Sequence, residues 1–290
     1  MAQMDGNPII WGVDQLAMLM RYVGGEIQRV GWGDSAATTH LPEIRRVTTH
    51  DLREIMAKGI DDFAACRSDV AFLCVFYPII GLLLAWIAFD RNLLPLLFPV
   101  ISGFALIGPL AAVGLYEMSR RRELGEEIHW SNAFSVVKSP SFLAIIVLGA
   151  LLLGIFLVWI LAANAIYYVT MGPEAPESIG AFIRDLFTTA AGWAMIVIGC
   201  AVGFVFAVVA LSISVVSFPL LLDRPVGVPV AVITSIRVAA RNPTAIATWG
   251  LIVAVALALG SIPLFLGLIV VLPVLGHATW HLYRKAVVPE

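Results

Sequence analysis

His277 and His281 are the residues of this chain whose type and spacing come nearest to a chemical site. Four positions apart, they share one face of a helix. Two imidazoles so placed could ligate a metal ion, or one of them a haem. Their surroundings favour a plainer role. Trp280, Tyr283, Arg284 and Lys285 stand beside them at the end of a long apolar run. Aromatic and cationic side chains suit a membrane–water interface, and positive charge suits a helix C-terminus. The whole group, Trp280, Tyr283, Arg284 and Lys285 with the two histidines, is therefore read as an interfacial anchor, with cofactor binding at His277 and His281 as the alternative.

Little else in the chain offers chemistry. There is no Walker loop, GxSxG elbow, HExxH or dinucleotide fingerprint, and no nucleophile–base pair can be picked out. Cys66, Cys74 and Cys200 lack CxxC spacing and read as small apolar thiols rather than a disulfide or metal set. Arg120, Arg121 and Arg122 read as a topology signal with a second attraction to anionic lipid, and Glu117 could pair with a neighbouring arginine. The expectation is a protein without enzymatic activity and without a cofactor.

The elements that must carry these residues belong to a membrane. The chain is 60% hydrophobic and 13% charged, with a mean hydropathy of +0.93. Soluble domains are about 25% charged. A net charge of −2 argues against a nucleic-acid partner. Residues 1–30 include Asp5, Asp14 and Glu26, unlike a secretory signal.

Residues 242–283 contain no Asp, Glu, Lys or Arg. As one helix this run would be about 63 Å long at 1.5 Å per residue, against a hydrocarbon core of about 30 Å. It must fold back, and Gly260-Ser261-Ile262-Pro263 is the expected turn. The same reasoning gives an all-α polytopic fold of six transmembrane helices in three hairpins, at about 70–89, 93–115, 141–169, 188–217, 244–259 and 264–282. Pro109 should kink the second. Residues 69–290 form this membrane domain and residues 1–68 a region with two amphipathic helices. The second of these follows a capping box at Thr48–Asp51 and carries Leu52, Ile55, Met56, Ile60 and Phe63 on one stripe, with Arg53, Lys58, Asp61 and Asp62 opposite. Leu41–Val47 looks extended.

With six spans both termini share a side, and of the 18 Lys and Arg only Arg91 and Arg184 lie on the other. Both termini are thus expected in the cytoplasm of a bacterial inner membrane. The exported loop would place Ile179, Phe182, Ile183 and Leu186 along the outer interface. Three caps, Arg67-Ser68-Asp69, Lys138-Ser139-Pro140 and Arg241-Asn242-Pro243, mark a weak repeat of one interfacial helix followed by two spans. None of the spans carries Asp, Glu, Lys or Arg near its centre, which argues against ion-coupled transport. Gly199 and Gly203 form a GxxxG pair, read as packing within the chain, with homodimerisation as the alternative.

Three stretches together resemble a known family: Gly114-Leu115-Tyr116-Glu117-Met118-Ser119-Arg120-Arg121, Phe218-Pro219-Leu220-Leu221-Leu222-Asp223-Arg224 and Gly276-His277-Ala278-Thr279-Trp280-His281-Leu282-Tyr283-Arg284. The resemblance is to bacterial, mainly proteobacterial, integral membrane proteins of unknown function. Some of its members carry the label cytochrome c oxidase subunit I. Such a catalytic subunit needs about twelve spans and roughly six histidine ligands, whereas this chain has five histidines. The family supplies no catalytic or binding residues. The reading that remains is an inner-membrane scaffold, assembly factor or accessory subunit. Its partners would be the lipid bilayer and other membrane subunits or a second copy of itself. Transport of an uncharged or lipid-like substrate is the alternative.

Overall fold

The computed structural model describes residues 41–74, 78–79, 81–83 and 94–289, and among them the regular structure is helical. The first expected amphipathic helix, most of the first span and the turn at Asp90-Arg91-Asn92 lie outside the described residues. The helices are α1 (Asp51–Cys74), α2 (Leu97–Ala111), α3 (Val113–Glu123), α4 (Phe142–Met171), α5 (Ile179–Thr188), α6 (Ala190–Ser214), α7 (Ser217–Asp223), α8 (Val228–Arg241), α9 (Pro243–Ser261) and α10 (Leu268–Ala286). Short 3-10 helices cover Leu94–Leu96 and Trp130–Lys138.

Three stretches of the described residues are long and apolar enough to cross a membrane: Phe142–Thr170, Ala190–Asp223 and Pro243–Ser261. They coincide with the third, fourth and fifth expected spans. The second expected span carries a break close to the kink expected at Pro109. It is broken at Ala112, three residues after Pro109, into α2 and α3. The fifteen residues of α2 reach only about 22 Å at 1.5 Å per residue. The sixth is different in kind. Although α10 is long enough, its second half is buried against other helices, with Trp280, Leu282, Tyr283 and Ala286 each at 1% exposure or less.

The chain begins α1 as its sequence specifies. Thr48 N–H donates to Asp51 Oδ2 (2.8 Å) and Asp51 N–H to Thr48 Oγ1 (3.3 Å), a reciprocal cap. Helix α1 consists of two helical segments that meet at a kink at Cys66, immediately before Arg67-Ser68-Asp69. Pro243 does take the first position of α9, but the Asn242 side chain does not cap it. Instead Asn242 accepts from Val47 N–H (2.8 Å) and donates to the Arg45 (3.2 Å) and Val238 (3.1 Å) carbonyls. It thereby holds the extended segment 43–47, which pairs antiparallel with residues 286–288 through an Ile44–Val287 bridge.

Between α9 and α10 the chain turns later than expected. The residues of positive φ are Leu264 (+52°) and Phe265 (+64°), not the glycine. Gly260 and Gly267 serve contact instead: a Cβ on Gly267 would lie 2.7 Å from Gly260 Cα.

Replacing Asn242 by Leu leaves the buried Val47 N–H without an acceptor. A loss of about 1–3 kcal/mol is expected, together with protease sensitivity of residues 41–50. Unfolding in detergent and limited proteolysis measure both. A variant as stable and as protease-resistant as wild type would remove Asn242 from this role.

Candidate functional site

The polar groups of the molecule gather where α1, α3, α7 and α10 meet. The approach depends on Gly59, where a Cβ would lie 2.7–2.9 Å from the Ala278 backbone and Cβ. Only a residue without a side chain lets α1 and α10 come so close. One turn further along α1, Asp62 enters the interface and is 6% exposed. Sequence reasoning places Asp62 on the solvent face with Asp61. The buried stripe is in fact Leu52, Ile55, Gly59, Asp62 and Cys66, while Ile60 is half exposed. Spacings of three and four link those five residues, so the stripe was there to be read once Gly59 was counted as a contact residue.

Three side chains satisfy the Asp62 carboxylate. Ser119 Oγ donates to Oδ2 (2.6 Å), His281 Nε2 donates to the same oxygen (2.9 Å), and Arg122 Nη1 donates to Oδ1. His277 joins at second hand, with Nδ1 2.7 Å from Ser119 Oγ. Since the single serine proton goes to the carboxylate, the proton in the His277–Ser119 contact must come from His277. His277 is then the Nδ1–H tautomer, with Nε2 a bare acceptor. That Nε2 is buried and has no hydrogen-bond partner.

This order of groups defines what the cluster can do. A nucleophilic serine needs a base that accepts its proton. Here the hydroxyl points to a carboxylate that Arg122 and His281 already engage, and the imidazole beside it is a donor. Of the two histidines, His277 Nδ1 and His281 Nε2 are taken up by protein groups. Among the described residues no group of three or more His, Cys, Asp or Glu could hold a metal ion. Burial works against the Asp62 charge, yet the His281 and Ser119 hydrogen bonds outweigh it and hold the carboxyl below its ordinary range.

Further carboxylates are also paired. Glu117, 2% exposed, accepts from Arg120 (2.8 and 3.1 Å) and Arg121 (2.7 Å). Desolvation opposes its charge as well, and those arginines pull its pKa below the usual value. Asp223 accepts from Tyr283 (2.6 Å) and lies 3.5 Å from Arg284, while Glu123 accepts from Trp280 Nε1 and Arg284 Nε (both 3.0 Å). Lys285 reaches Asp51 at 3.0 Å and Glu54 at 3.5 Å. Together with the Thr48 backbone N–H, the larger influence, it brings Asp51 down to about 2.

The residues expected as anchors make contacts within the chain. Trp280 and Tyr283 are buried, with their polar tips on carboxylates of α3 and at the end of α7. Arg120, Arg121 and Arg122 each pair with a buried carboxylate. Of the glycine pair, Gly203 packs on the Trp159 ring of α4, whereas a Cβ at Gly199 would meet nothing within 4 Å. The three sequence stretches that suggested a family meet at this one place: Ser119 touches His277, Tyr283 touches Asp223, and Gly276 packs on Leu115.

An all-helical chain with several long apolar helices and a charged cluster at one end is an integral membrane protein. Residues 97–223 match the model of a family described as predicted integral membrane protein (DUF2189), which fits the resemblance seen in the motifs. That match takes in the first two of the three converging stretches and leaves out α10. No curated protein and no solved structure matches the chain.

Acid should loosen the cluster. Asp62 and Asp51 have depressed pKa values, so the stability they contribute is complete above the ordinary carboxylate value of about 3.9 and is lost as pH falls toward their folded values. Asp62→Asn should lower stability at pH 7 and flatten the acid limb of a stability–pH curve measured in detergent. Wild-type and variant curves that stay parallel would contradict this. Gly59→Val should cost ~1–3 kcal/mol by forcing α1 from α10, read as thermal unfolding. No change on that substitution would mean the helices do not touch there.

Proposed function

We propose that this protein is a non-enzymatic component of a bacterial inner membrane that scaffolds, assembles or accompanies a membrane complex. One observation carries the reading. The polar side chains that could have done chemistry are engaged with one another, while helix α6 leaves nearly all of its apolar surface outward. Only 6% of the apolar window around α6 is buried within the chain, and Trp193, Val197, Phe204 and Val205 are exposed. Its neighbour α4 is one-third buried over the equivalent window. Lipid can cover such a face, and so can an apolar helix of another subunit, to which small and branched side chains offer close packing.

The side opposite the lipid-like surfaces supports the same role. Phe134 and Val137 of the Trp130–Lys138 helix and Ile233 and Ile236 of α8 are exposed beside Lys138, Arg237 and Arg241. Apolar side chains flanked by cations suit the headgroup layer or a partner resting on it. Over the six expected spans, the distribution of Lys and Arg supports a cytoplasmic side for both termini.

Purification from native membranes in a mild detergent, followed by native mass measurement, tests the proposal. A species heavier than the 31.3 kDa chain, with defined stoichiometry, is expected. A solitary monomer in every preparation would overturn it. Reporter fusions test the orientation: one at the C-terminus should be cytoplasmic and one between Gly172 and Ser178 exported, and the reverse would overturn the topology.

A further inference from the structure

At the end of the bundle away from the charged cluster, α2, α4, α5 and α6 line a cavity of about 410 Å3 that is open on one side. Its size falls within the ~300–1,000 Å3 of small-ligand sites. Pro99, Trp159, Phe182, Ile183, Met195 and Gly199 are among its walls, and every lining side chain is apolar. Trp159 has the only N–H among those side chains, and it donates to the Pro99 carbonyl (3.3 Å). Nothing in the wall is left to bind a polar ligand.

Helix α5 forms one wall. Ile179, Phe182, Ile183 and Leu186, expected along the outer interface, all line the cavity, while Arg184 and Asp185 pair with each other on the outside (3.1 Å). Both ends of α5 are fixed. Ser178 Oγ accepts from Ala181 N–H (3.1 Å), Thr189 Oγ1 accepts from Gly192 N–H (3.0 Å), and Trp193 Nε1 donates to the Phe187 carbonyl (3.0 Å). The cavity is therefore walled by a held helix. Two of its other walls, α4 and α6, are apolar enough to span a membrane, and their outward residues, Leu161 and Val197 among them, are exposed. Hydrocarbon is what surrounds such helices in a bilayer, and an apolar cavity is a poor site for water.

From this geometry we infer that the cavity is a binding site for one acyl chain of a membrane phospholipid. The chain lies between α4, α5 and α6, and the headgroup stays outside at the level of α5. Gly199 supplies the means of testing it. Because a Cβ there meets open space, a larger side chain would fill the cavity without displacing a neighbour. Gly154 on α4 also meets nothing within 4 Å but lies outside the cavity lining, which makes it the control.

The protein would be reconstituted in nanodiscs containing a phosphatidylethanolamine with a diazirine on one acyl chain, illuminated, and its adducts mapped by mass spectrometry. Adducts at Phe182 and Met195 should exceed those at the outward-facing Phe204 and Val205. Gly199→Phe should lower the cavity adducts about tenfold or more, the effect of roughly 1.4 kcal/mol, while Gly154→Phe leaves them unchanged. Cavity positions labelled no more than Phe204 and Val205, or labelling indifferent to Gly199→Phe, would overturn the assignment. A readout on the wild-type protein guards against a variant that fails to fold. After delipidation, native mass spectrometry should find one phospholipid retained, and a lipid-free chain would count against the site. These results do not depend on whether a protein partner exists, so the lipid site and the scaffold role stand or fall separately.

Discussion

A buried carboxylate cannot stand alone in a protein interior, and Asp62 is where this constraint shapes the molecule. Removing an ion from water costs several kcal/mol unless partners replace the lost hydration. Asp62 obtains those partners from two other helices: Ser119 and Arg122 on α3, and His281 on α10. His281 meets it across the close α1–α10 approach that Gly59 permits. The close crossing and the buried charge are thus linked. Removing Asp62 would leave Arg122 and two imidazoles facing an empty place, and widening the crossing would leave Asp62 without His281.

Around that point the other carboxylates form successive ties. Glu117 fixes the arginines of its own helix, Glu123 and Asp223 receive the polar tips of Trp280 and Tyr283, and Asp51 with Glu54 receives Lys285. All of these ties but that of Glu117 have one end on α10. The short pairing of residues 43–47 with 286–288, held by Asn242, then closes the same end of the bundle. Beyond it the helices present apolar faces outward. The molecule is rigidly organised at its charged end and exposes hydrocarbon-compatible surface elsewhere, a division that suits a membrane component acting through its surfaces.

How much of this was legible in the sequence depended on the range of the interaction. Local chemistry read well: the Thr48–Asp51 cap, Pro243 opening α9, and the long uncharged runs that became α4, α6 and α9. Hydropathy alone could not tell lipid from protein as the neighbour of an apolar helix, so the last expected span had its second half buried in protein. The aromatic and cationic residues at its end were read as headgroup anchors, and their partners within the chain, Glu123, Asp223, Asp51 and Glu54, were not foreseen. Interfacial anchors and buried ion-pair partners have the same composition, and only their contacts differ. Asp62 was missed because a charge in an amphipathic pattern is ordinarily a solvated one. Its clue was its spacing from Gly59 and Cys66, which no local rule weights. The convergence of the three motif stretches is a tertiary fact, although their chemistry, a serine, a carboxylate and paired histidines, was visible from the start.

The central claim is that His277, Ser119 and Asp62 form a structural tie, with the proton order fixed by the carboxylate. Nitrogen NMR of the 15N-histidine-labelled protein in micelles at neutral pH tests it directly, with His277→Gln assigning the resonance. The account predicts His277 as the Nδ1–H tautomer with an unprotonated Nε2, unchanged by added Zn2+. A His277 protonated on Nε2, or a zinc-dependent shift that vanishes in the variant, would contradict it.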